Sequence, residues 1–201
     1  MLSDFSFDEM VLFAKKIGLP ALRGEQIFDA IYSGKTLEEV SNLPKALKDI
    51  IEDQYPKYKI AQKFTSKDGT QKFLIEFFDG NIVECVLMKY KYGFTVCLST
   101  QVGCRMGCKF CASTLNGLAR NLSAGEILGQ ALLINRELGG SRKERKITNI
   151  VLMGSGEPLD NYDNVLKFIS LITSAKGLNI SERNISLSTC GLVNKIYKLA
   201  N

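Results

Sequence analysis

The stretch Phe94-Thr-Val-Cys97-Leu-Ser-Thr-Gln-Val-Gly-Cys104-Arg-Met-Gly-Cys108-Lys-Phe-Cys111 decides how the rest of the chain is read. Phe94 to Ser99 form a short apolar run of strand character, and three cysteines follow in a loop at the strand's C-terminal end. The spacing C-x3-C-x2-C supplies three thiolates and no obvious fourth ligand, in a chain without histidine. A structural zinc site closes its tetrahedron with four protein ligands, usually as two separated pairs. An iron–sulfur cluster tolerates one iron left to a non-protein ligand, and needs it for chemistry. The spacing favours such a cluster, with a zinc site and incidental buried thiols as the readings left open.

Downstream the rhythm is strand, loop, helix. Ser123 and Glu126 form a capping box ahead of the apolar stripe Ile127, Leu128, Ala131, Leu132, Ile134 and Leu138, which Gly139-Gly140 closes. A strand at Ile147–Met153 leads into the loop Gly154-Ser155-Gly156-Glu157-Pro158, then into a helix carrying Val165, Phe168, Ile169 and Ile172. A third strand, Asn184–Thr189, passes through Cys190-Gly191 into another helical start near Leu192. Such a series predicts a parallel sheet with ligands at the strand C-termini. About two and a half βα units are legible before Asn201, so the expectation is a partial (β/α) barrel truncated after about three strands, over residues 94–201.

Upstream the period differs. Ser6 and Glu9 cap a helix with Met10, Val11, Phe13, Ala14 and Ile17 on its apolar face. Further helical spacing at Ile27, Phe28 and Ile31, and from Pro44 to Ile51, predicts a small helical accessory domain over residues 1–56. Within 57–93, Lys72–Phe78 and Ile82–Met88 flank Asp79-Gly80-Asn81 as a β-hairpin linker or extension, a short antiparallel segment ahead of the barrel.

Composition bounds the function. Residues 1–56 carry 6 Lys or Arg and 10 Asp or Glu, whereas residues 57–201 carry 20 and 11. The positive balance therefore lies with the cysteines, in clusters such as Lys57, Lys59, Lys63 and Lys67, or Arg142, Lys143, Arg145 and Lys146. Six cysteines in 201 residues are too few and too clustered for a disulfide scaffold. No apolar run is long enough for a membrane span, and the first residues lack signal-peptide character. The expectation is a protein of the reducing cytoplasm with no membrane partner.

An open iron calls for a chelating ligand, and an amino acid's carboxylate and α-amine suit it. Glu157 can accept hydrogen bonds from an ammonium, and Gly156 permits close backbone approach. Ser188, ending the third strand, can bond a ribose or carboxylate oxygen, or its own local backbone.

The cysteine run, the Gly117-Leu-Ala-Arg-Asn-Leu122 segment, the Gly154–Pro158 loop and the Leu187-Ser-Thr-Cys-Gly191 strand end together resemble the radical S-adenosylmethionine methyltransferases of 23S ribosomal RNA and tRNA adenine C2. The resemblance spans essentially all 201 residues. It implies a [4Fe-4S] cluster on Cys104, Cys108 and Cys111, with S-adenosyl-L-methionine on the fourth iron. It implies Glu84 as the base that takes the C2 proton. Cys97 is implied as the resolving thiol, which forms a disulfide with a methyl-carrying cysteine near the C-terminus. It also implies a monomer that works on 23S rRNA and tRNA with a cytoplasmic electron donor. Ser155 and Cys190 depart from the family pattern, and neither Cys85 nor Cys190 occupies the methyl carrier's place. Alternatives are the adenine C8 rRNA methyltransferase branch that confers antibiotic resistance, an iron–sulfur electron-transfer or sensing protein, and an RNA-binding fragment without chemistry.

Overall fold

Ser6 starts the first helix by reciprocal bonds. Its N–H donates to the Glu9 carboxylate at 2.6 Å, and its Oγ accepts the Glu9 N–H at 3.3 Å, satisfying the start of α1 (Phe7–Lys16). The computed structural model describes residues 1–200. α1 packs on α2 (Ala21–Tyr32), and α3 (Lys45–Ile51) follows Pro44, which holds the N-cap position rather than the first turn.

The chain then enters the sheet through β1 (Tyr58–Thr65), β2 (Gln71–Phe77), β3 (Ile82–Tyr90) and β4 (Gly93–Cys97). A two-stranded neck follows, with β5 (Gln101–Gly103) paired to β6 (Leu118–Asn121) on either side of the cysteine loop. Next come α4 (Ala124–Glu137), β7 (Ile147–Leu152), α5 (Tyr162–Thr173), β8 (Ile185–Leu187) and α6 (Val193–Ala200). Six strands form one sheet in the order β1-β2-β3-β4-β7-β8, antiparallel up to β4 and parallel beyond it.

The barrel truncated after about three strands, set behind a short antiparallel segment, is not what the chain forms. Eight strands and six α-helices are present among the described residues, and the antiparallel strands are continuous with the parallel ones. β3 pairs with β4 from Val86↔Cys97 to Tyr90↔Gly93, which makes β4 the hinge between the two pairing modes. Counting strands by the helices that follow them finds only β4, β7 and β8. It passes over strands joined by tight turns, and β5 and β6 are too short to show a period. The expected break within a helix at Asn201 lies outside the described residues.

One face of the sheet is sealed. Val83, Cys85 and Leu87, Val96 and Leu98, and Ile150 and Leu152 are buried with Ile127, Leu128, Ala131 and Leu132 of α4 and Val165, Phe168 and Ile172 of α5. The same cluster takes in Met10, Ile27, Phe28 and Ile31 from the first helices. Alternation along the strands turns the other side chains the opposite way. Register places Glu84, Val86 and Met88, Thr95 and Cys97, and Asn149 and Val151 together on that second face. Among the described residues no helix is long and apolar enough to cross a membrane.

Candidate functional site

The cysteine loop is closed at its base by two glycines. Gly103 has φ +75°, and a Cβ there would lie 2.0 Å from the carbonyl oxygen of Gly117, so no other residue fits this neck. Across it the Cys104 N–H donates to the Gly117 carbonyl at 3.0 Å. Inside the loop the Cys111 N–H donates to the Cys108 carbonyl at 3.0 Å. Arg105 anchors the outside, donating to both oxygens of Asp160 at 2.5 and 3.0 Å. This pairing, helped by Gln101, holds the Asp160 carboxyl below the usual carboxylate range.

Beneath the loop lies a buried polar scaffold that joins the ends of β4 and β7. Gln130 of α4 accepts the Ser99 N–H and donates to the Ser99 carbonyl, both at 2.9 Å. Ser99 Oγ donates to the Glu84 carbonyl at 2.7 Å and accepts the Ser155 N–H at 2.9 Å. Gln101 accepts the Glu157 N–H at 2.8 Å and donates to Asn121 and Asp160. Asn161 donates to the carbonyls of Thr100 and Leu122. A buried amide without partners would be costly, and here each is paired on both sides.

Above the scaffold is a cavity of about 270 Å³, lined by Cys104, Cys108, Cys111, Gly156, Glu157 and Ser188, with Met153 and Cys190 at its wall. Glu157 is only 4% exposed, and its carboxylate accepts the Leu159 N–H at 2.9 Å and the Cys190 N–H at 2.7 Å. A carboxylate offers about four lone-pair sites, so capacity for a further donor remains. Gly156 lines the cavity and meets a further demand that its sequence does not suggest. Its φ is +103°, and a Cβ would fall 2.5 Å from that of Gln101, so it faces the scaffold. Although Cys190 is an exposed residue, partial desolvation at the cavity, then Glu157 and the Cys108 and Cys104 thiols, push its thiol up to about 11. A larger cavity of about 390 Å³, lined by Leu37, Tyr55, Tyr58 and Phe77 among others, shares no residue with this one and holds no thiol.

Among the described residues no three His, Cys, Asp or Glu side chains stand close enough to hold a metal ion, so the thiols surround the cavity rather than converge on one point. A four-iron cluster takes each thiolate on a different iron and has its ligands spread around it. Three thiols and no imidazole, arranged about one cavity beside a buried carboxylate, fit that group by donor chemistry.

Cys97 and Glu84 lie outside the cavity lining. Cys97 sits at the end of β4, half-buried, and its thiol takes the backbone N–H of Met153, a cavity residue. Burial nevertheless raises its pKa. Glu84 shares the open face with Cys97 through register, but its carboxylate is exposed and paired with Lys72 at 3.0 Å. All six cysteines are free, so the disulfide implied for Cys97 is not formed. Its expected partner, a methyl-carrying cysteine, has no counterpart among the six.

Sequence reasoning found the cavity residues and missed the scaffold: Ser99, Gln101, Gln130, Asn161, Asp160 and Arg105. One signal was available. Gln130 interrupts the apolar stripe between Leu128 and Ala131, and an amide buried there requires a partner.

Comparison with known proteins agrees with this architecture. Residues 98–201 match the Radical SAM superfamily. The chain is 52% identical over 204 aligned residues to the "Probable dual-specificity RNA methyltransferase RlmN" of Clostridium perfringens strain SM101, covering 98% of this chain and 57% of that protein. It is 50% identical to the protein of the same description from Clostridium acetobutylicum, covering 98% and 56%. The crystal structure of a radical SAM methyltransferase from Sphaerobacter thermophilus superimposes with a TM-score of 0.89 at 35% identity, over 99% of this chain and 59% of that one. The chain thus spans a little over half the length of these relatives.

Proposed function

The chain belongs to the radical SAM superfamily, in its dual-specificity RNA methyltransferase branch, and on that premise we propose that it carries the cofactor-binding part of an adenine C2 methyltransferase of 23S rRNA and tRNA. The observation that carries the reading is the single cavity bordered by Cys104, Cys108, Cys111 and the buried Glu157. A [4Fe-4S] cluster on those thiols would supply the electron that cleaves S-adenosyl-L-methionine, giving radical chemistry to an electron-poor carbon that simple methyl transfer would not alkylate.

The chain's own residues then have separable tasks. Glu157 accepts the N–H groups of the cofactor's ammonium while its backbone bonds keep the carboxylate aimed into the cavity. Ser188, which lines the same cavity, bonds a cofactor oxygen. On the open sheet face Glu84 takes the proton from C2 onto its carboxylate, after exchanging Lys72 for the base. The Cys97 thiolate attacks the sulfur of the protein–RNA adduct: an S–S bond forms, the S–C bond to the RNA breaks, and that carbon takes a proton. A cytoplasmic electron donor reduces the disulfide. The methyl-carrying cysteine of this scheme is not among this chain's six.

RNA as partner is supported by the basic balance of residues 57–201 and by the turn after β3, where exposed Tyr90 and Tyr92 stack at 5.1 Å and alternate in sequence with Lys89 and Lys91. The test is anaerobic reconstitution followed by reduction with S-adenosyl-L-methionine. About four irons and four sulfides per chain and release of 5′-deoxyadenosine are expected, with both lost in Cys104→Ala. Binding of zinc alone, or a reduced cluster that cleaves nothing, would sink the reading.

A further inference from the structure

Four thiols, not three, border the cavity. Cys190 follows β8 and lines the cavity together with Cys104, Cys108, Cys111 and Ser188. Its position is fixed, because its backbone N–H donates to Glu157 Oε2 at 2.7 Å while the other oxygen of that carboxylate is held by Leu159. The residue is also exposed at the cavity mouth, so its side chain has room to turn inward. The thiol packs in no core and joins no disulfide, and its polar partner is the Glu157 carboxylate that also lines the cavity.

We propose that Cys190 is the fourth thiolate ligand of the cluster when S-adenosyl-L-methionine is absent, occupying the iron that the cofactor later takes. This rests on the cluster reading given above. The step balances simply. The thiol S–H breaks, its proton passes to solvent past the neighbouring Glu157 carboxylate, and an S–Fe bond forms with no change in oxidation state. Cofactor binding reverses it, with the amino acid end displacing the thiolate and Cys190 regaining a proton. The consequence is protection: a three-cysteine cluster loses its unligated iron on oxidation, whereas one with four thiolates keeps it.

The test compares the 201-residue chain with Cys190→Ser and Cys190→Ala after anaerobic reconstitution with iron and sulfide, without cofactor. On ferricyanide treatment, the electron paramagnetic resonance signal of the three-iron form should be about tenfold larger in the variants. Equal signals overturn the proposal and leave the cluster reading standing. If no preparation takes up iron and sulfide, the cluster reading falls and the proposal with it. A second measurement needs no variant. In the cluster-loaded unmodified chain, mass spectrometry should find Cys190 alkylated by iodoacetamide about tenfold faster once S-adenosyl-L-methionine is added. An unchanged or slower rate overturns the proposal.

Discussion

Gly156 shows how one residue can answer to two constraints, since it lines the cavity and its backbone also packs on Gln101. The sequence suggests close approach to a ligand; the backbone at φ +103° also presses on Gln101, and a methyl group would meet Gln101 N at 2.7 Å. Gly156→Ala should therefore cost about 1–3 kcal/mol through strain at this dihedral and displacement of Gln101. Urea denaturation should show a lower midpoint with an unchanged slope, and an unaltered midpoint would refute the packing argument. The site was legible in the sequence where chemistry is rare. Cysteines at fixed spacing in a chain without histidine have few uses, and a Gly-Glu-Pro loop one strand later stands out against them. Gln101 was not legible, because an amide in a stretch that reads as loop looks like a surface residue until the packing that buries it is known, whereas Gln130 left a trace only as a break in an apolar stripe.

At the level of elements, the turn between β2 and β3 is tied to the distant β6. Arg120 donates to Asp79 at 2.6 Å and to both oxygens of Glu126 at 2.8 Å, and its guanidinium lies over the rings of Phe77 and Phe78. The Arg120 hydrogen bond lowers Asp79 from 3.8 to about 2. A depressed carboxyl contributes stability that is complete above its unfolded pKa and is lost as pH falls through the folded value, here between about 4 and 2. Asp79→Asn should thus be less stable than the unmodified chain by about 1 kcal/mol at pH 6, after discount for partial exposure. The difference should shrink as pH falls below about 4 and vanish only below the folded value of about 2. Glu39, lowered to about 2 chiefly by Arg136, titrates in the same window in both proteins and cancels in the comparison. Thermal melts across this range check it, and a constant difference would refute it. The hairpin itself was readable from Asp79-Gly80-Asn81, as was each capping box. The partnership with β6 was not, since strands of three and four residues carry no period and Arg120 lies 41 positions from Asp79.

Across the whole molecule, the sequence separates a helical segment from the sheet by charge and period, yet one apolar cluster crosses between them. Tyr32 of α2 donates to the Leu171 carbonyl of α5 at 3.3 Å, Arg136 of α4 pairs with Glu39, and Arg142 pairs with Asp29. Surface pairs of this kind contribute little singly, so the shared core decides the coupling. Calorimetry should accordingly show one transition whose calorimetric and van't Hoff enthalpies agree, and two resolved transitions would refute it. The parallel rhythm was evident from sequence, whereas the extent of the sheet was not, because pairing between β3 and β4 depends on contacts that neither strand's composition specifies.

The buried scaffold has a further consequence, for motion. Ser155 holds the N–H groups of both Thr100 and Gln101 on one carbonyl, and Gln101 holds the N–H of Glu157. Neither strand end can lift without releasing the other, so the amides of residues 100, 101 and 157 should share one opening event and exchange with deuterium at similar, slow rates. The loop they carry is tied on its outer side only through side chains, Arg105 to Asp160, and none of the backbone N–H groups of residues 105–110 donates to a partner among the described residues. Exchange in residues 105–110 well ahead of the three, with the three in step, is the expected pattern: a rigid floor beneath a pliable rim.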